Sequence, residues 1–328
     1  MTTKSILQDA DQGKLYYDDY LTQYLPRIMS RRKPRLSFVD GSIVPTMMDL
    51  SIAADRLQGL VSTDFGQASE AGESLDLPIV DVNLEEVNFK VWAFGSQATE
   101  NFRQSMAADL AMANGHPAPR QLLDKKLMLV IKSIQGRMND SIAYGRGTTN
   151  GFLNDPDVPV SDQSLFDPYA TTTTDTQLID FFGTEFTSIS TGTLQEQPEM
   201  ENAPLCALLP PSLYDLIVRR KLSDSDKNVY TWLLENIPEL VSIKKVNKLN
   251  ATSLEAAGIE NPGDNVNRMV VYPMDDMVVS VHMSIPFSLP TEYRAGTYYM
   301  PTVQAVSQVV WEQPLYARYV QFAKETGD

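Results

Sequence analysis

The sequence predicts an α+β fold, and three observations carry that reading. One long helix of about 25 residues runs from Pro117 towards Tyr144. Strand patterns come from distant parts of the chain, and no βαβ rhythm joins them. At 328 residues the chain is long enough for one large domain or two medium ones, each with a buried core.

The long helix opens at Pro117 and Pro119, where a missing N–H costs nothing. From Leu123 its apolar residues fall at Leu127, Val130, Ile131, Ile134, Met138 and Ile142, a period near 3.6. Lys125, Lys132, Gln135 and Asn139 take the opposite side, and Gly145 stands where a left-handed C-cap is expected. Met128 and Leu129 lie off the stripe. The middle of the helix is therefore apolar on more than one side, which predicts that other elements grip it for most of its length.

In chain order, residues 1–36 read as an arm. Tyr16, Tyr17, Tyr20, Leu21, Tyr24 and Leu25 suit a short amphipathic helix, ended by Pro26, Pro34 and the basic residues between them. Residues 57–86 carry seven acidic side chains, no basic one and a sparse apolar pattern, the mark of a functional or disordered segment. Leu75, Leu77 and Ile79 alternate there with Asp76 and Pro78, as in one leg of a hairpin. An isolated ribbon is marginal in water, so a neighbouring subunit is its expected support. Val87, Phe89, Val91 and Ala93 define one face of a strand over 87–95, and a short helix is expected from Thr99 to Ala113. After the long helix come Gly151-Phe-Leu-Asn-Asp-Pro-Asp-Val and a threonine run, 171–174, that would cap a helix from Asp175 to Thr191. A strand over 204–209 leads through Pro210 into a helix over 211–221, and another helix spans 227–234. Strands are expected over 240–246, 268–272 and 277–283, and last over 302–311, where Val303, Ala305, Ser307, Val309 and Trp311 share a face.

Composition narrows the function. A net charge of −15 argues against a surface that grips nucleic acid throughout. The charge is uneven: residues 1–36 hold seven basic and four acidic side chains, with Arg27, Arg31, Arg32, Lys33 and Arg35 uninterrupted by any acid. That cluster reads either as a solvated charge run or as an arm that docks on an acidic partner, another copy of the chain included. One cysteine, Cys206, excludes an internal disulfide and a cysteine-built metal site. No run of 18 apolar residues exists to span a membrane. The N-terminus lacks a signal-peptide apolar core, so a cytosolic origin is expected.

No catalytic constellation emerges. His116 and His282 are the two histidines, and His282 sits in a strand pattern where a structural role is expected. There is no Gly-x-Ser-x-Gly elbow and no Walker A lysine. Gly145-Arg-Gly-Thr-Thr-Asn-Gly151 has its third glycine one residue late for a dinucleotide fingerprint, and it follows a helix instead of a strand. Asp155 with Asp157, and Asp275 with Asp276, match no metal loop and suit turn formation. No catalytic, cofactor or metal residue is assigned.

Taken in order, several motifs resemble the tailed-bacteriophage major capsid protein family, with its HK-ninety-seven-like (Johnson) fold. They are Asp64-Phe-Gly-Gln-Ala, Asp76-Leu-Pro-Ile-Val-Asp, Phe89-Lys-Val-Trp-Ala-Phe-Gly-Ser-Gln-Ala-Thr, and the long helix ending in Tyr144-Gly-Arg-Gly147 before Gly151-Phe-Leu-Asn-Asp-Pro-Asp-Val. Ala203-Pro-Leu-Cys-Ala-Leu-Leu-Pro-Pro and Val303 to Trp311 extend the likeness over nearly the whole chain. Phe152 stands where the family's segment has a leucine. The resemblance implies an N-terminal arm (1–56), an extended loop (57–86), a peripheral domain with the long helix (87–160 plus 302–328) and an axial domain (161–301).

It also implies a non-enzymatic shell protein that self-assembles through hexamers and pentamers around a double-stranded DNA genome. The expected location is the virion capsid, made in the host cytoplasm. Expected partners are the chain itself, a separate scaffolding protein, a cement or decoration protein, a portal protein, and packaged DNA met without sequence specificity. A separate scaffold is expected because about 56 residues precede the loop, too few for a fused scaffolding domain. The general acidity would keep DNA from adhering to the inner wall. Inter-subunit candidates are Arg27, Arg31, Arg32, Lys33 and Arg35 on the arm, against Asp64, Glu70, Glu73, Asp76, Asp81, Glu85 and Glu86 on the loop. No lysine lies between Arg56 and Lys90, so an isopeptide crosslink from this loop is not expected. An encapsulin-like compartment shell and a soluble α+β enzyme or ligand-binding protein are the alternatives.

Overall fold

The long helix, α1, covers Ala118–Tyr144 in a computed structural model of the chain, 27 residues or about 40 Å. The structure describes residues 36–62, 84–103, 106, 118–192, 204–223, 226–259 and 266–324. Val130, Ile134, Met138 and Ile142 are buried, as the period of the stripe predicts. Asn139, expected on the polar side, is buried too: its Oδ1 accepts the Phe38 backbone N–H at 3.0 Å. The Phe38 backbone thus meets the helix on the side where Asn139 lies.

The end of α1 is a closed device. Gly145 has φ +77°, the left-handed C-cap, and its N–H bonds Ser141 O at 2.8 Å. The chain then doubles back, and the N–H groups of Phe152 and Leu153 bond the carbonyls of Ile142 and Ala143 at 2.8 and 2.9 Å. Carbonyls left over at the helix end thus find backbone partners from the next segment. The close approach forces two glycines. A Cβ on Gly145 would overlap the Thr149 carbonyl oxygen, and one on Gly151 would overlap the Gly145 nitrogen. Phe152 is then held between Phe38, Tyr272 and Trp311, with centroid distances of 5.9, 5.1 and 5.1 Å. Its carbonyl accepts the Tyr319 hydroxyl at 2.6 Å, and the Leu153 carbonyl accepts the buried Arg268 guanidinium.

The described residues divide between two compact units, one within 36–96, 133–288 and 302–324, the other within 97–132 and 289–301. In the larger unit a mixed five-stranded sheet has the order β4-β13-β7-β5-β6, with β4 Val160–Gln163, β5 Leu205–Leu209, β6 Leu240–Lys245, β7 Val266–Pro273 and β13 Arg318–Ala323. Every residue of β5 and β7 is buried, as mid-sheet strands covered on both faces require, with Asn267 and Arg268 the polar members of β7. Helices α2 (Asp175–Gly192), α3 (Pro211–Arg219) and α4 (Val229–Asn236) pack on it around Phe182, Phe186, Leu213, Ile217 and Leu233. The expected threonine cap is present: Thr174 Oγ1 accepts the Gln177 N–H at 3.3 Å, and Gln177 Oε1 accepts the Thr174 N–H at 2.9 Å. A short helix, α5, covers Ala251–Ala256.

Three sequence expectations are corrected. Strands β5 and β6 are parallel neighbours joined through α3 and α4, so one crossover of the βαβ kind exists where none was expected. The strand expected over 87–95 is β3, Leu84–Asn101, which runs through the expected helix start at Thr99. Its half-buried face passes from Val87, Phe89 and Val91 to Phe94 and Ser96, so Ala93 is exposed. The pattern expected over 302–311 is split between β11 (Thr297–Ser307), which pairs at Thr302–Val303 with β9 (Phe287–Ser288), and β12 (Val310–Trp311), which pairs with β8 (Val279–His282). Strand β8 also takes β1 (Thr46–Met47) as a parallel partner. Strand β13 lies between β7 and β4.

The acidic segment begins and ends in a ladder. Strand β2 (Arg56–Ser62) is antiparallel to β3 from Arg56↔Lys90 to Ser62↔Leu84, and the expected leg with Leu75, Leu77 and Ile79 lies outside the described residues. In the smaller unit, β10 (Glu292–Arg294) pairs with Thr297–Tyr299 of β11 across a two-residue turn. Ala295 and Gly296 both take positive φ there, 47° and 78°, as a tight hairpin of this hand needs.

Two predictions follow from the helix terminus. Gly151→Ala is expected to cost about 3 kcal/mol in urea unfolding, because backbone must move. Gly136→Ala, where a Cβ meets nothing within 4 Å, should add up to about 1 kcal/mol. For the ring that fills the clasp, Phe152→Ala should cost about 3–5 kcal/mol. Phe152→Leu should cost under about 1.5, measured the same way.

Candidate subunit-contact surfaces

The charged residues singled out in the sequence fall mostly beyond what the structure describes. Arg27, Arg31, Arg32, Lys33, Arg35, Asp64, Glu70, Glu73, Asp76 and Asp81 all lie outside the described residues. Glu85 and Glu86 are in β3, opposite Val61 and Leu60 of β2. Glu86 is exposed and accepts Gln58 Nε2 at 2.9 Å, so it already serves the hairpin and keeps a face for a partner.

The described surface adds apolar residues. On α1, Met128 is 64% and Leu129 41% exposed. The expectation that the chain grips this helix along most of its length therefore holds for Val130 to Ile142 and fails at Met128 and Leu129. Ile285 and Phe287, alternate residues at the start of β9, are 71% and 51% exposed, and Leu165 is fully exposed. Sequence reasoning assigned no contact role to Ile285 and Phe287. Their period-two spacing was the signal available.

Of the residues tested for chemistry, His116 lies outside the described residues, while His282, Asp155 and Asp275 have structural partners. His282 Nδ1 lies 2.8 and 2.9 Å from the two carboxylate oxygens of Asp49, and its backbone N–H bonds Ser307 Oγ at 3.0 Å. Asp155 accepts the Asp157 N–H at 3.1 Å, and burial raises its pKa above the ordinary carboxylate value. Asp275 accepts the Met277 N–H at 3.0 Å in the same kind of turn. In the Gly145–Gly151 turn the N–H groups of Gly145, Arg146, Thr149 and Gly151 bond Ser141 O, Thr149 Oγ1, Arg146 O and Asn154 Oδ1 on the same chain. Among the described residues no three His, Cys, Asp or Glu side chains are grouped to hold a metal ion. Cys206 is buried, and the Ser242 hydroxyl lies 3.2 Å from its sulfur.

Solved structures agree on the fold. The chain is similar to the capsid of Myoviridae phage XM1, with a TM-score of 0.65 at 14% identity, covering 93% of this chain and 97% of that one. It is similar to the capsid of the native GTA particle, TM-score 0.59 at 9% identity over 93% and 96% of the two chains. The cyanophage Pam1 capsid gives a TM-score of 0.58 at 11% identity over 94% and 97%. No curated protein matches the sequence. The architecture is the α+β, HK-ninety-seven-like fold of phage capsids. Residues 67–322 match the family described as major capsid protein, more than half of the chain, and the chain belongs to that family.

Proposed function

We propose that this chain builds a closed icosahedral shell from hexamers and pentamers of itself, enclosing a double-stranded DNA genome. Family membership is the observation that carries the reading. Apolar side chains left uncovered in a single copy support it, since a shell subunit has to keep contact surface in reserve. On this reading the protein is structural and not an enzyme, resides in the virion capsid and assembles in the host cytoplasm. Its further partners are a separate scaffolding protein, a portal protein, a cement or decoration protein and the packaged DNA. The division into arm (1–56), extended loop (57–86), peripheral domain (87–160 with 302–328) and axial domain (161–301) belongs to the same proposal. The β13 pairing argues for moving 318–323 to the axial sheet. The basic arm and acidic loop are opposite in sign, which suits register between neighbouring copies more than raw affinity.

Negative-stain microscopy of the protein expressed alone and with its scaffold tests the assembly. Shells or six- and five-membered rings are expected; stable monomers or dimers in both preparations would sink the reading. Nucleic acid in particles from infected cells separates a genome shell from a compartment filled with protein. Met128→Glu with Leu129→Glu should leave the urea midpoint nearly unchanged, within about 0.5 kcal/mol for exposed sites, while abolishing shells. Particles boiled in detergent should run as a single 36.6 kDa band, since the loop lacks a lysine to crosslink.

A further inference from the structure

A cleft of about 410 Å³ opens along helix α3, lined by Tyr169, Ser212, Asp215, Leu216, Arg219 and Arg220. Helical spacing creates it: Leu213 and Ile217 face the core, and Ser212, Asp215, Leu216 and Arg219 form the stripe beside them. The donors of this stripe are set from behind. Asn267, at 4% exposure, has its amide oriented by Ala251, whose N–H bonds Asn267 Oδ1 at 3.0 Å. Its Nδ2 therefore donates to Tyr169 Oη at 3.3 Å. Having accepted that bond, Tyr169 can give its own proton to Ser212 Oγ at 2.7 Å, and the Ser212 proton then turns to the cleft.

The cations complete the wall. Arg220 is anchored through Nε to Asp175 Oδ1 and through Nη2 to the Thr173 carbonyl, and its other N–H groups have no partner among the described residues. Arg219 is exposed and makes no hydrogen bond or ion pair among them. A last-turn arginine suits the helix dipole, but that role uses its charge and leaves its N–H groups uncommitted. The carboxylate of the wall, Asp215, is already held by Lys245 Nζ at 2.8 Å from both oxygens. A hydroxyl and two guanidinium groups facing one cleft, with its acid neutralised, select an anion.

A carboxylate and a nucleic-acid phosphate both answer that description, and the chain favours the carboxylate. With 42 acidic against 27 basic residues, every copy offers carboxylates to its neighbours. A nucleic-acid strand would bring a row of further phosphates against a surface of net charge −15. We propose that this cleft is the receiving half of a head-to-tail contact, taking a carboxylate side chain from a second copy of the chain. The proposal rests on the shell reading. It adds a contact between unlike patches, the kind that closes rings when repeated by rotation.

The test assembles shells from an equal mixture of unlabelled and isotope-labelled full-length Arg219→Lys protein and treats them with a carbodiimide. The reagent joins an amine to a touching carboxylate as an amide and takes up the water as a urea, so no spacer reaches distant acids. Mass spectrometry should find amides at position 219 that join labelled to unlabelled peptides. Adding Ser212→Ala should lower their yield about tenfold, as expected for loss of one hydrogen bond to a charged group. Shells in which position 219 couples only within its own copy or not at all, or with a yield indifferent to Ser212→Ala, would overturn the contact and leave the shell reading standing. Arg219→Glu particles that keep their shells and lose packaged DNA would overturn it in favour of phosphate. Small oligomers alone, with and without scaffold, would remove both.

Discussion

The rest of the structure depends on one backbone contact, the approach of Gly151 to Gly145 at the end of the long helix. Buried N–H and C=O groups must be paired, and a helix end turned into a core carries several orphan carbonyls. Here they are met by the N–H groups of Phe152 and Leu153, which is possible only because neither glycine carries a Cβ. The doubled-back segment then exposes its own carbonyls to the core. Tyr319 from β13 answers one and Arg268 from β7 the other. Three segments far apart in sequence, around Phe38, Arg268 and Tyr319, are thereby registered against one turn.

Arg268 shows what this arrangement demands. Its guanidinium is buried, and desolvation lowers its pKa from the ordinary arginine value. It lies over the Tyr319 ring at 5.0 Å, and its Nε finds no hydrogen-bond partner. Burial also drives the Tyr319 hydroxyl far above the usual phenol range, so it remains a neutral donor at any working pH. A buried cation held by a carbonyl and a ring adds less stability than its contacts suggest, because desolvation opposes them. Its consequence is specificity: only the pairing of β7 with β13 that brings Arg268 to Leu153 satisfies it. The same logic applies to Tyr272, whose hydroxyl donates to Ile43 O from a fully buried ring.

What could be read from the sequence was whatever is local. The helix stripe, its glycine cap, the threonine cap of α2 and the apolar strands β5 and β7 each declare themselves within a few residues. What escaped depends on partners a hundred or more residues away. Asn139 looks polar-faced until the Phe38 backbone arrives, and no strand was read over 318–323, where β13 lies beside β7. The crossover between β5 and β6 was hidden because two helices, not one, connect them. Of the contact surface, Met128 and Leu129 were visible as apolar residues off the stripe. The sequence could not tell whether the chain itself or another copy would cover them.

That ambiguity bears on how a chain of net charge −15 associates with itself. At physiological salt, charges more than about 8 Å apart are largely screened, so the repulsion between copies is short-ranged and concentrates at contacts. Attraction must act at the same range. On the proposed reading, uncovered side chains such as Met128, Ile285 and Phe287 would supply it by leaving water. Opposite charges confined to particular segments then decide which contacts form, since misaligned copies meet acid with acid. A chain acidic throughout would repel its copies in every orientation. On the proposed reading, gathering the basic residues between Arg27 and Arg35 would leave few orientations in which repulsion is relieved, and a shell of repeated identical contacts requires that selectivity.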